Sequence, residues 1–483
     1  MSTQIRILFT EPYGTVSPRL YGHFAEHLGR CCYDGLWIGD ARQDIPLTGG
    51  FRTDVIDALR AMPTPLLRWP GGRYADHYHW RDGIGDPGKR PARLGLSCGR
   101  RVLDDNGLGT HEFLKFCEMI SAEPYLAGNM GSGSVQEMAD WVEYCNTDLP
   151  TQLGQERASN GQSSPWGVKL WGVGNENWGC GGNYDPESYA LEYRRYSLML
   201  QHVDPSIEMV FCGHNLDWNR RSIAKMRDHL GFMDHFSIHR YWINGGHGTQ
   251  FSDADYYALL DEAHRTEEFV VETRALLDDA SQGRRHVGIA LDEWGVWHPE
   301  ARTWGPGDVA SETGDYGQAG TLRDALATAV ALEGFHRQCR SLSMANLAQI
   351  VNVLHAPVMT EGDRMWCTPT YFVLQMHAVH LNATAYRTEI SGRESLPDGS
   401  SAVSATATSG GVTITNRHLH NGVTVNLVAD RNWNRAVVLG ADRASDENGP
   451  GHEERVRTKP LKVHREGELI TFELPPHSVA TIF

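Results

Sequence analysis

The chain has 483 residues, is 40% hydrophobic and carries 14 Trp, 17 Tyr and 14 Phe, enough apolar mass for one large domain and a smaller one. Its formal charge of −16, with no basic stripe to track phosphates, argues against nucleic acid and against an anionic membrane as partners. No run of about eighteen apolar residues occurs, and the opening residues lack a basic segment followed by a long apolar one, so the expected location is cytoplasmic.

In chain order, the isolated run Ile5–Phe9 comes first, and then short β-rich runs alternate with segments of helical period. The runs are Leu20–Phe24, Pro65–Trp69, Tyr125–Gly128, Lys169–Gly174, Glu208–Gly213, His235–His239, Val287–Asp292 and Asn346–Val351. Helical patterns fall between them at Phe51–Met62, Thr110–Ser121, Val135–Asn146, Pro186–His202 and Gln318–Arg340. Eight such units predict an α/β fold, a closed (β/α)8 TIM barrel. After about Tyr371 the pattern changes to short alternating runs with Asn-Gly and Asp-Gly turns. These are Ala402–Thr406, Gly411–Thr415, Val423–Val428, Ala436–Leu439, Leu461–His464 and Leu469–Leu474, an antiparallel β-domain to which Ile5–Phe9 adds a strand. The expected division is a barrel over 18–375 and a β-domain of 1–17 plus 376–483. Asp148–Ser164 and Asp442–Glu454 are polar, rich in small residues, and read as loops.

Nine cysteines, an odd number with no C-x-x-C pair and with Cys31 and Cys32 adjacent, predict reduced and mostly buried thiols. His235 and His239 are four apart, but Phe-Ser-Ile between them reads as strand, where that spacing does not converge on a zinc; no metal is expected.

Barrel enzymes build their sites at the C-terminal ends of the strands. Here those ends are polar: Glu26, Arg68, Asn129, Asn175-Glu176, His214, His239 with Tyr241, Glu293, and Gln349 with Asn352. Hydrolysis of a glycosidic bond needs a proton donor for the leaving oxygen and a second carboxylate at the anomeric carbon. Lys169-Leu-Trp-Gly-Val-Gly-Asn-Glu176 ends the fourth strand, and His286-Val-Gly-Ile-Ala-Leu-Asp-Glu293 ends the seventh. In a closed barrel the two glutamates therefore meet at one mouth, and they are the expected catalytic pair. Strand alternation predicts that Asp292 points away from Glu293 and serves as a structural acceptor.

Around these positions the chain resembles glycoside hydrolase family 51, most of whose members are α-L-arabinofuranosidases. The resemblance rests on Tyr21-Gly-His-Phe-Ala-Glu26-His-Leu-Gly-Arg30, Leu67-Arg68-Trp-Pro-Gly-Gly72, Trp171-Gly-Val-Gly-Asn175-Glu176-Asn-Trp-Gly179, Ser237-Ile-His239-Arg-Tyr241, Leu291-Asp-Glu293-Trp-Gly-Val-Trp297 and Ala348-Gln349-Ile-Val-Asn352. It implies a barrel fused to a β-sandwich that includes the N-terminal strand, a retaining mechanism, no cofactor, and often a homo-oligomer, the hexamer among its forms. It also implies that Glu176 is the acid/base and Glu293 the nucleophile, and that Asn175 binds the sugar's 2-hydroxyl. Glu26 and Gln349 match positions that hold sugar hydroxyls, Tyr241 one beside the nucleophile, Trp297 one that walls the pocket, and Arg68 one that keeps Glu293 ionised. His239 is a further candidate for substrate contact. The substrate implied is a short oligosaccharide or glycoside with a terminal α-L-arabinofuranose.

Two positions depart from the family pattern. Arg73 stands where a small polar residue is usual, and Cys98 ends a stretch that usually closes with an aromatic over the sugar. An arginine at position 73 is expected either to pair with Glu26 or a catalytic carboxylate, or to hydrogen-bond a substrate group that arabinose lacks. The alternatives kept open are a β-D-galactofuranosidase, a β-xylosidase or endo-glucanase on the same machinery, and a carbohydrate-binding protein, which would require loss of one carboxylate.

Overall fold

Eight parallel strands close into a barrel in the computed structural model, which describes residues 2–483 except 40, 41, 43, 311–314, 393, 394 and 398. After an N-terminal strand β1, Ser2–Thr15, the barrel runs β2 Gly22–Phe24, β3 Leu66–Trp69, β4 Glu123–Gly128, β5 Leu170–Val173, β6 Glu208–Cys212, β7 His235–Trp242, β8 Gly288–Val296 and β9 Leu342–Ala348. Every residue of β8 is buried, as expected of a strand covered on both faces. The predicted helix Val135–Asn146 forms over those residues. Ser134 accepts from the Glu137 N–H at its start, and its apolar face buries Met138, Trp141, Val142 and Cys145 at the spacing of one helix side.

Inside the barrel, Leu66, Tyr125, Leu170, Val210, Ala290 and Met344 make a separate apolar cluster. Arg68, Asp292 and Asn346 lie two residues further along β3, β8 and β9, so alternation places a polar layer directly above that floor. The pairing of β7 with β8 shifts here: Ile238 is opposite Leu291, but His239 is opposite Glu293. Asp292 is thus an extra residue in a β-bulge, and the expectation that it turns away from Glu293 is corrected. Both carboxylates face Arg68, with Glu293 Oε1 2.9 Å from Nη1 and Asp292 Oδ2 3.9 Å from Nε. Asp292 nevertheless has the structural part foreseen, accepting from Tyr125 Oη at 2.8 Å and Asn346 Nδ2 at 2.9 Å.

The C-terminal strands are β10 Thr384–Ser391, β11 Val403–Thr408, β12 Gly411–Asn416, β13 Val423–Val428, β14 Ala436–Leu439, β15 Lys459–Pro460, β16 His464–Glu466, β17 Leu469–Leu474 and β18 Ser478–Ile482. They form one sheet in the order β15-β14-β18-β12-β11-β10-β1-β13-β17-β16. The two halves fold over one another, so that Ala405, Ile414 and Ala480 share a core with Val425, Leu427 and Phe472, giving a β-sandwich. The predicted run Leu461–His464 is strand only at His464, the first residue of the short edge strand β16, and the other short edge strand, β15, ends just before the run. Strands β10 and β18 had not been singled out. The segment 148–164, read as a loop, contains a helix, Gln152–Ser159. Thr151 caps its start, and the buried Arg157 side chain donates to the carbonyls of Tyr144 and Thr147 at 2.9 Å each.

The sandwich packs on a helix buried along nearly its whole length, Leu322–Arg337. Glu333 there accepts from the Ser404 and Thr415 hydroxyls, and His336 hydrogen-bonds Thr406 at 2.8 Å. His380 holds Thr408 and Thr413 at 2.9 Å each. Among the described residues all nine cysteines are free, six of them buried, and no helix is long and apolar enough to cross a membrane.

Candidate active site

The site rises from the polar layer. Arg68 is buried, its guanidinium against the Phe24 ring at 4.6 Å, and it grips one residue on β8 and one just beyond β5. Nη1 donates to Glu293 Oε1 at 2.9 Å and Nη2 to Asn175 Oδ1 at 2.5 Å. A planar fork can hold two acceptors in fixed directions, which a single ammonium cannot. The amide of Asn175 is thereby oriented, and its buried Nδ2 has no protein partner.

Glu176 follows on a sharp turn. Gly174 has φ +85° and Glu176 itself has φ 43°, both left-handed, and a Cβ at Gly174 would sit 2.1 Å from Asn177 Oδ1. The left-handed residue at 176 is the type of backbone strain that tertiary contacts must hold in place. His239 Nδ1 lies 2.9 Å from Glu176 Oε1 and 3.6 Å from Glu293 Oε2, and Tyr241 Oη donates to that second oxygen at 2.8 Å. One oxygen of each glutamate and one nitrogen of His239 all lie within 4.8 Å of one another. These atoms also have the composition of a metal-ligand set. They are already engaged by Arg68, Tyr241 and each other, and the fixed positive charge of Arg68 opposes a cation there.

Burial works against a charged His239, but the carboxylates of Glu293 and Glu176 outweigh it and hold the imidazole above its ordinary pKa. At Glu176 burial acts upward, and the hydrogen bond and charge of His239 outweigh it, so this carboxyl sits below its usual value. The two groups thus hold one proton between them, favouring the imidazole when no substrate is bound.

The opposite wall is Glu26, 2% exposed, just beyond β2. Its Oε1 accepts from the Tyr74 N–H at 3.0 Å and the Ser97 hydroxyl at 2.8 Å, and Gln349 Nε2 lies 3.3 Å from Oε2. Burial, reinforced by Glu293, pushes its pKa up to about 7. A Cβ at Gly72 would stand 2.7 Å from both carboxylate oxygens, so only glycine admits this approach.

A cavity of about 440 Å³ opens over these groups. Of the residues singled out from the sequence, Glu26, Arg73, Glu176, His214, His239, Tyr241, Glu293, Trp297 and Gln349 line it, while Arg68 and Asn175 lie beneath. Trp297 packs edge-on to Tyr241 at 5.0 Å and donates its indole N–H to the Ala301 carbonyl. Of the two alternatives for Arg73, pairing with a carboxylate is not what the structure has: Glu293 pairs with Arg68, Glu176 with His239, and Glu26 is held by Tyr74, Ser97 and Gln349. Cys98 lines the cavity at the turn of the hairpin Arg93–Ser97/Arg100–Asp104, its carbonyl accepting from Tyr316 Oη at 2.7 Å. Two strand-end residues stand apart from the cavity. Asn129 Oδ1 caps the N–H groups of residues 131–133, and Asn352 binds Arg30 O and Thr360.

Several lining residues had not been identified as such. Trp178 stacks on His214 with centroids 3.7 Å apart, Cys180 Sγ lies 3.7 Å from Glu176 Oε2, and Trp304, 49% exposed, stands edge-on to Trp297. Trp178 and Cys180 directly follow the Asn175-Glu176 turn, a proximity in sequence that was a usable signal; Trp304 and Tyr316 come from a long loop that carries none.

Two family models match the chain, the α-L-arabinofuranosidase 1 domain over residues 58–265 and the α-L-arabinofuranosidase C-terminal domain over 292–478. An intracellular exo-α-L-arabinofuranosidase of Bacteroides ovatus is 37% identical over 97% of this chain and 92% of its own. The crystal structure of a GH51 arabinofuranosidase from Xanthomonas axonopodis pv. citri superposes with a TM-score of 0.91 at 34% identity, covering 100% of this chain and 99% of that one. An α-L-arabinofuranosidase from Thermotoga maritima in complex with arabinose gives 0.87 at 28% identity, again over 100% and 99%. With its barrel, its sandwich and its two facing glutamates, this chain is a glycoside hydrolase and belongs to glycoside hydrolase family 51.

Proposed function

We propose that the enzyme releases terminal α-L-arabinofuranose from the non-reducing ends of arabino-oligosaccharides or glycosides, with net retention. The observation that carries the mechanism is the approach of Glu176 and Glu293 to within 4.8 Å. So close an approach supports a retaining pair, whose carboxyl groups stand roughly 5–5.5 Å apart, over an inverting pair, roughly 6.5–9.5 Å apart with a water between them. Glu293, charge-stabilised by Arg68 and oriented by Tyr241, attacks the anomeric carbon, while Glu176 protonates the departing oxygen with the proton it shares with His239. Water then enters, Glu176 removes its proton, and the glycosyl ester on Glu293 is cleaved. On this reading Asn175 donates its free Nδ2 to the 2-hydroxyl, Glu26 and Gln349 hold the other ring hydroxyls, and Trp297 walls the ring; their position under and around the cavity supports it.

Removal of single terminal residues is supported by the name of the Bacteroides ovatus relative, an exo-acting enzyme, and neither a galactofuranosidase nor a xylosidase or glucanase reading is favoured by the relatives. An intracellular location is supported by the name of the Bacteroides ovatus relative. The apolar stripe Leu191, Leu198 and Met199 on one exposed helix face supports a homo-oligomer, which light scattering would size. The test of the chemistry is a panel of nitrophenyl glycosides followed by NMR. Arabinofuranose should appear first as the α-anomer, Glu293→Ala with azide should give the β-azide, and Glu176→Ala with azide the α-azide. Initial release of the β-anomer by wild type would refute retention.

A further inference from the structure

The cavity holds positive charge that its carboxylates do not use. Glu293 is satisfied by Arg68 and Tyr241, and Glu176 by His239. Two further arginines are among the residues that line the same cavity. Arg73 stands on the turn after β3, and Arg240 lies between His239 and Tyr241 on β7. Neither makes a hydrogen bond or an ion pair with any described residue, and Arg240 Nε is buried without a partner. A third arginine in the lining, Arg302, is in a different situation, since its donors are taken by carbonyls such as Trp297 O and Ile243 O. In a chain of net charge −16, two cations without a protein partner in the lining of one cavity call for an anion that enters with the substrate.

The position of Arg73 says which part of the substrate carries it. It lines the cavity together with Cys98 and Cys180, and Cys180 Sγ is 3.7 Å from Glu176 Oε2. Glu176 is the group read as proton donor to the leaving oxygen, so its Cys180 side faces the leaving group. The Trp178–His214 stack lines the cavity beside it and offers a flat platform for a ring. Building on the arabinofuranosidase reading, we infer that Arg73 and Arg240 form a leaving-group subsite selective for a carboxylate-bearing unit, such as a uronic acid residue to which the arabinofuranose is attached. The arginines act on binding and positioning and take no proton.

The test uses a matched pair of probes, 4-carboxyphenyl α-L-arabinofuranoside and its methyl ester, which differ in one charge. The quantity read is the ratio of kcat/KM for acid over ester, in which the shared arabinosyl contacts cancel. For the wild type this ratio should fall about tenfold between low and high salt. In Arg73→Ala and in Arg240→Ala it should be about tenfold below the wild-type value at low salt, while turnover of the ester reports that each variant is folded. A wild-type ratio insensitive to salt, or ratios unchanged in both variants, would overturn the subsite while leaving the arabinofuranosidase reading intact. Failure of the wild type to cleave either probe would overturn both.

Discussion

Replacing Glu26 by Gln should stabilise the protein in a strictly pH-dependent way. The carboxyl is buried against Glu293 and titrates near 7 in the folded protein, against 4.5 when unfolded. Between those values the folded state binds the proton and the unfolded state does not, so wild-type stability falls as pH rises from 4.5 to 7 and is level above. At 1.36 kcal/mol per tenfold change in proton affinity, the loss is about 3 kcal/mol. With an unfolding entropy of about 2 cal/mol/K per residue over 483 residues, this corresponds to about 3 °C in melting temperature. Gln keeps an acceptor for the Tyr74 N–H and the Ser97 hydroxyl and has no proton to lose. Asp76, also raised to about 7 by burial, titrates equally in both proteins and cancels. Thermal unfolding of both proteins from pH 4 to 9 should therefore show the variant gaining about 3 °C on wild type between pH 4.5 and 7, with any offset from altered hydrogen bonding constant throughout. A difference that stays flat, or that favours wild type as pH rises, refutes the reasoning. Activity should move the other way, because a carboxylate that destabilises the apo site is a better acceptor for sugar hydroxyls than an amide.

Arg68→Lys should lower kcat/KM about a hundredfold, measured on a nitrophenyl arabinofuranoside, since one ammonium cannot hold both Glu293 and Asn175. Tyr241→Phe removes one charge-assisted bond to Glu293 and should cost about tenfold in the same assay. His336 and His380, on the seam between barrel and sandwich, are held well below the usual histidine pKa by burial, and His377 at about 4. Their unfolded forms take up protons below about pH 6.5 and the folded forms do not, so stability should fall as pH drops below that value. Hydrogen exchange should show β11 and β12 losing protection ahead of the barrel strands between pH 6.5 and 5, and His380→Gln should reduce that slope.

The barrel was readable because each strand is a local apolar run, and because polar strand ends in a closed barrel converge whatever the loops do. The placement of Glu176 and Glu293 follows from that convergence alone. The orientation of Asp292 was not readable, because a bulge is a property of the β7–β8 pairing, and nothing within His286–Glu293 records that Ile238 and His239 face residues two apart. Strand β10 was obscure for a different reason: Arg387 and Glu389 are exposed on a face open to solvent, which leaves little apolar alternation. Strand β18 is short and built of small residues, all buried, and reads as no particular element until its neighbours β12 and β14 are known. The unpaired state of Arg73 depended on its distance from three carboxylates on other strands, which sequence does not carry.

The place of β1 in the sandwich has a consequence for synthesis. Gln4 pairs with Ser391 and Ile5 with Leu427, so β1 waits for partners translated roughly 390 to 420 residues later. At roughly 5–20 residues per second that interval is tens of seconds, during which Ile5 and Ile7 have no sheet to enter while the barrel strands emerge. Because β1 lies between β10 and β13, the sheet stays in two pieces, each with a raw edge, until the N-terminus docks. Strand β1 is thus fastened together with the strands of the C-terminal domain, and Ile5 and Ile7 are most exposed to aggregation just before that sheet closes.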